Sequence, residues 1–178
     1  MGTHRQPSSR VIGVHSLPSA VISLIQEQAE VRGLRHDPLP EVTHAVRTDV
    51  VTGSSGWFGR GRPRRRTTEM LLTSEVLVVT EHDPDREDAG DAQVTFHRLH
   101  QLEVTRAEGP EPGLELIGTP VGATERGARV VATDGGPEVE RFLRALVEAA
   151  ESSRRIDVPS SRFPTDVEAV RPQPHEVY

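Results

Sequence analysis

The sequence predicts a mainly β (α+β) fold. The expected form is a bent seven-stranded antiparallel sandwich or open barrel, capped by a C-terminal α-helix, with an extra N-terminal helix. Three observations carry this expectation. Short runs of alternating apolar and polar residues recur between turn signals from residue 42 to 133. Aromatics are scarce, with one Trp, one Tyr and four Phe, so valine and leucine must build the core. Branched side chains of that kind suit a pleated surface. A single strongly amphipathic stretch then follows Gly135-Gly136.

Val42, His44, Val46, Thr48 and Val50 alternate with polar neighbours until Gly53-Ser54-Ser55-Gly56 breaks the run. Arg66 to Leu72 and Val76 to Glu81 form a hairpin around Thr73-Ser74-Glu75. Ala92 to Arg98 and Leu102 to Arg106 are two short strands separated by a bend at Leu99-His100. Gly109-Pro110-Glu111-Pro112-Gly113 is a strong turn. Leu114 to Gly118 and Arg129 to Thr133 complete the set.

Pro137 suits the first turn of the closing helix, and Glu138 and Glu140 complement its positive end. Val139, Phe142, Leu143, Leu146, Val147 and Ala150 form its apolar stripe. Near the other terminus, Ser16-Leu17-Pro18-Ser19 reads as a helix entrance with a serine cap, and Gly33 reads as its stop. Val21, Ile22, Leu24, Ile25 and Ala29 give that helix an apolar stripe, to be packed on the main domain or on a second copy. The expected organisation is a flexible N-terminus over 1–15, a helix over 16–33, the β domain over 40–152 and a disordered, proline-rich tail over 153–178.

Composition narrows the function classes. The chain has 178 residues, 15 glycines, 14 prolines and an apolar fraction of 34% without glycine, low beside the roughly 45–50%, glycine included, usual for a packed domain. It has no cysteine, so disulfides, thiolate nucleophiles and cysteine metal sites are excluded. No apolar run approaches the roughly 18 residues of a membrane span. The expectation is a cytoplasmic protein, able to lie at the inner face of the membrane. No P-loop or nucleophile elbow is present, and Gly53-Ser54-Ser55-Gly56 has the wrong spacing for the latter. Asp83, Asp85, Glu87, Asp88 and Asp91 resemble a calcium loop only superficially, because Asp88 stands where glycine is needed. His97 and His100 lack a third ligand and read as strand-surface histidines. The expectation is a non-catalytic protein with no cofactor and no metal.

Three stretches resemble a known family. They are a first strand followed by a long loop, the hairpin Met70-Leu71-Leu72-Thr73-Ser74-Glu75-Val76-Leu77-Val78-Val79, and the helix Glu138-Val139-Glu140-Arg141-Phe142-Leu143-Arg144-Ala145-Leu146. Together they resemble the pleckstrin-homology-like superfold in its bacterial or GRAM-related versions, the hairpin matching a Leu-Thr-x-x-x-Leu pattern. The resemblance covers about residues 40 to 152. It implies that the loop between the first two strands of the domain, and the start of the second, carry spaced basic residues that clasp phosphate. Arg60, Arg62, Arg64 and Arg66 fall there.

The residues themselves point to the same place. Gly56 to Arg66 reads Gly-Trp-Phe-Gly-Arg-Gly-Arg-Pro-Arg-Arg-Arg. Arg60, Arg62, Arg64, Arg65 and Arg66 offer planar forks for phosphate. Trp57 and Phe58 are candidate anchors at a membrane interface or stacking partner. The opposing charge is close by, at Glu81, Asp83, Asp85, Glu87, Asp88 and Asp91. The ligand expectations are an anionic lipid surface or a protein partner at this loop. The alternative is A·T-rich DNA, because Arg60-Gly61-Arg62-Pro63 matches the core of an AT-hook. The bland alternative is a solvated loop neutralised by its acidic neighbour. Self-association through the 17–32 helix is a further option.

Overall fold

The computed structural model describes residues 5–52, 64–86, 91–107 and 112–156. It is mainly β, with two antiparallel sheets and two α-helices. The first sheet takes β1 (Arg5–Val11), β2 (His44–Thr52), β3 (Arg64–Leu72), β4 (Val76–His82) and β5 (Gln93–Arg98) in sequence order. The second takes β6 (Glu103–Arg106), β7 (Gly113–Gly118) and β8 (Gly127–Ala132). The sheets do not close into a barrel. Backbone bonds join them at one corner, where Val121 N–H, in the connection after β7, donates to Phe96 O at 2.8 Å and His97 bridges Pro120.

Strand alternation divides the first sheet into two apolar faces. On the inner face, Val46, Met70, Leu72, Leu77 and Val79 meet Leu114, Leu116 and Val131 of the second sheet. Helix α2 (Pro137–Ile156) closes this core with Val139, Phe142, Leu146 and Ala150. Its start at Pro137 and the acidic first turn are as the sequence predicts. Val147, assigned to the stripe, is instead more than a third exposed. The helix also runs four residues past the expected boundary at 152, which puts Arg154 and Arg155 inside its last turn. There Arg154 donates to Leu102 O.

The outer face carries a second core. Ala45, Leu71, Val76, Val78, Val94 and Phe96 pack against Leu17, Val21, Ile25 and Ala29. The last three belong to α1 (Ser19–Val31), so its apolar stripe is spent on the chain's own sheet. The helix stops at Gly33, whose φ of 72° lies in the left-handed region, and Leu34 N–H closes the end on Ala29 O at 2.9 Å. Its entrance differs from the expectation. Ser16 Oγ bonds back to Gly13 O within a short 3₁₀ turn, and Pro18, which has no side-chain oxygen, occupies the capping position.

The N-terminus differs most from the sequence reading. Residues expected to be flexible form β1, a full edge strand paired with β2 from Arg5↔Thr52 to Val11↔Val46. Pro7 and two serines make this a poor strand by propensity. Its outward N–H groups are held by carboxylates instead. Ser9 N–H donates to Asp134 Oδ2 at 2.8 Å and Val11 N–H to Glu138 Oε2 at 2.7 Å. The eighth strand is therefore a product of long-range partners. The expected tail beyond Ile156 lies outside the described residues.

Candidate functional site

Of the predicted binding residues, Trp57, Phe58, Arg60 and Arg62 lie outside the described residues. Arg64, Arg65 and Arg66 are the first three residues of β3 and are exposed, ahead of a buried run from Thr67. Exposure here follows from position, because the covering helix α1 and the second sheet reach only the later part of the strand. Arg64 and Arg66 share one face of the sheet and Arg65 takes the other.

The structure also brings in the acidic stretch. Arg65 Nη1 is 3.7 Å from Asp85 Oδ1, and Arg66 Nη2 is 3.1 Å from Glu81 Oε2. Arg86 pairs with Asp91, and Arg129 of β8 pairs with Glu81. The two oppositely charged segments thus meet within one molecule. Arg64 makes no ion pair among the described residues. The partners of Arg65 and Arg86 are largely exposed, and exposed pairs hold weakly, about 0–1 kcal/mol each. Arg64, Arg65, Arg66 and Arg86 line one open cavity of about 620 Å³ together with Asp83 and Asp91.

Behind this rim lies a site that sequence reasoning missed. Glu69 on β3 is fully buried. Arg47 of β2 faces it directly across the pairing and donates from Nε to Oε1 at 3.1 Å, with Nη2 3.0 Å from the same oxygen. His82 Nε2 of β4 stands 3.1 Å from the same oxygen, and Thr80 Oγ1 donates to Oε2. Burial raises the Glu69 pKa, but the hydrogen bonds from His82 and Thr80 and the His82 and Arg47 charges outweigh it, leaving the carboxyl below its ordinary value. The bond to Glu69 in turn raises His82 above its ordinary value, against the opposing effect of burial. The signal was present in the sequence, since Thr67, Glu69 and Leu71 share one face of β3. Only the docking of α1 showed that this face is covered.

The two histidines considered together are separated. His97 points to the inner face of β5 and is 4% exposed, so it is no strand-surface residue. Neither of its ring nitrogens has a hydrogen-bond partner among the described residues. Burial, with the Arg129 charge nearby, pushes its pKa down to about 4. His100 sits in the 3₁₀ turn after β5 and lines a different cavity with Arg35 and Arg98. Among the described residues no group of three or more carboxylates and histidines is placed to hold a metal ion. Among them, too, no helix is long and apolar enough to cross a membrane.

No protein-family model, curated protein or solved structure matches this chain.

Proposed function

We propose that the protein is a non-catalytic docking module that settles on an anionic membrane surface through the end of its five-stranded sheet. One observation carries this reading. Arg64, Arg65, Arg66 and Arg86 line a single open cavity at the end of the sheet from which the 53–63 connection, with Trp57, Phe58, Arg60 and Arg62, departs and returns. A basic residue near an anionic surface contributes about 1 kcal/mol. Arg64 makes no ion pair among the described residues, and the weak exposed pairs of Arg65 and Arg86 can exchange a carboxylate for a phosphate. Salt screens attraction between exposed charges, so the adhesion is salt-sensitive. The resemblance to pleckstrin-homology-like domains supports the same reading, because it implies phosphate-clasping basic residues where Arg60, Arg62, Arg64 and Arg66 stand. A cytoplasmic protein peripheral to the inner membrane face is the location that fits.

The test is co-sedimentation with phosphatidylglycerol and phosphatidylcholine vesicles at low and moderate salt. Recovery with the anionic vesicles alone, reduced by salt and by Arg64→Ala combined with Arg66→Ala, is the expected result. Equal recovery on both vesicle types overturns the reading. Absence from both, with retardation of an A·T-rich duplex that depends on Arg62, replaces it with minor-groove binding.

A further inference from the structure

We propose that the cavity between α1 and the outer face of the five-stranded sheet binds a phosphate group, as the free anion or a small monoester. The cavity, about 280 Å³, is large enough for a phosphate with a small organic part. It is distinct from the outer rim, although Arg65 and Arg86 border both. It depends on β1 and α1, which lie outside the stretch that resembles pleckstrin-homology-like domains.

Five cationic or protonatable side chains reach it from separate elements: Arg10 of β1, Arg47 of β2, Arg65 of β3, His82 of β4 and Arg86 just beyond. Among the described residues Asp49 is the one carboxylate in the lining, and it is already engaged. Thr67 Oγ1 donates to its Oδ1 at 2.6 Å, and Arg10 Nη2 is 3.4 Å from its Oδ2. The roof is the first turn of α1, contributed by Pro18, Ala20 and Val21, and carries no acid.

Preorganisation separates this cavity from a solvated arginine patch. Arg47 is fixed on two sides, by Glu69 and by Ser16 O, which accepts from Nη2 at 2.9 Å. His82 is fixed by the same Glu69 oxygen. Their shared anchor is buried behind the wall, so it orients both groups without itself occupying the cavity. The looser Arg10, Arg65 and Arg86 pair with Asp49, Asp85 and Asp91 through contacts that leave each guanidinium about half exposed. Exposed pairs of this kind hold weakly, and a phosphate with several acceptor oxygens can displace them and accept from more than one guanidinium at once. Phosphate fits these separated forks better than a single planar carboxylate does, because its oxygens diverge in three dimensions.

The experiment uses the full chain at pH 6.5 and constant ionic strength. Titration calorimetry with inorganic phosphate and with glycerol phosphate is set beside a chloride control. Saturable binding of both, with at least tenfold loss in Arg10→Gln and no change in Arg64→Gln, is expected. Arg10 lines this cavity and not the outer rim, and its side chain is largely exposed; a thermal melt of the variant checks that it folds. Vesicle recovery in Arg10→Gln stays at the wild-type level if membrane docking is a separate property. Absence of phosphate binding in the wild type overturns the site whatever the vesicles show. So does binding that Arg64→Gln abolishes and Arg10→Gln leaves intact, because that places the anion at the rim.

Discussion

Arg47 and Glu69 face each other across β2 and β3, and both Nε and Nη2 of the guanidinium converge on one carboxylate oxygen of a fully buried glutamate. Removing one partner of such a pair strands the other charge without water, at a cost of roughly 3–5 kcal/mol. Arg47→Met is therefore expected to lower the urea-unfolding free energy by about that amount. Arg47→Met combined with Glu69→Leu removes both charges and is expected to recover at least half of the loss. A double variant no more stable than Arg47→Met would show that the pair is not the source of the effect.

Stability should pass through a maximum near pH 6.5, for reasons that lie on opposite faces of the sheet. His97 is depressed to about 4, so the unfolded chain takes up a proton that the folded one refuses as pH falls below 6.5. Stability is lost across that window, by about 3 kcal/mol at its acid end. His82 is raised, so its contribution is complete below 6.5 and disappears as pH rises through the folded value. Glu69, held low, gives stability present above its ordinary value of 4.5 and lost as pH falls through the folded one. Urea titrations from pH 4 to 8 check the profile. His97→Leu should flatten the limb between 6.5 and 4 alone; an unchanged slope there would count against a neutral buried histidine.

Helix α1 belongs to the core. Ile25 is completely buried between the helix and the outer sheet face, beside Leu71, Val78 and Phe96. Ile25→Ala should cost about 2–5 kcal/mol by thermal or urea unfolding. A fragment starting at residue 40 leaves that face bare, and is expected to aggregate or bind a hydrophobic dye where the full chain does not. A soluble, cooperatively melting fragment would show that the face can stand without its cover.

The edge of β1 is held by side chains of the α2 entrance. Asp134 accepts from Ser9 N–H and Gly136 N–H, and Glu138 accepts from Val11 N–H. Burial opposes ionisation of Asp134, but the hydrogen bonds from Gly136 and Ser9 together outweigh it and keep its pKa below the ordinary value. Asp134→Ala with Glu138→Ala should speed hydrogen exchange at Ser9 and Val11 at least tenfold, while amides of β3 and β4 keep their protection. Equal acceleration everywhere would mean global destabilisation instead of a released edge.

Much of the fold was legible because it is local. Valine alternation over Val76 to Val79, the Thr73-Ser74-Glu75 turn and the Pro137 start of α2 each depend on neighbours a few residues away, and each stands in the structure within a residue or two of its expected place. The arginine run was legible as chemistry, and Arg64 to Arg66 do open a strand at the sheet's end. What the chain order could not display was which acid would meet which arginine. Arg65 with Asp85 and Arg66 with Glu81 follow from the β3–β4 pairing and the loop beyond it.

Three features belonged to tertiary structure alone. β1 is a strand because β2 and two distant carboxylates satisfy its backbone, against the propensity of Pro7 and the serines. Glu69 is a buried anchor because α1 covers the face it shares with Leu71. His97 is a neutral core residue because the second sheet closes over β5. The sequence by itself determined the period, the turns and the position of charge. Only the packed structure decided which faces lost water, because burial is a property of elements far apart in the chain, and burial is what turns a glutamate or a histidine from a surface group into a determinant of stability.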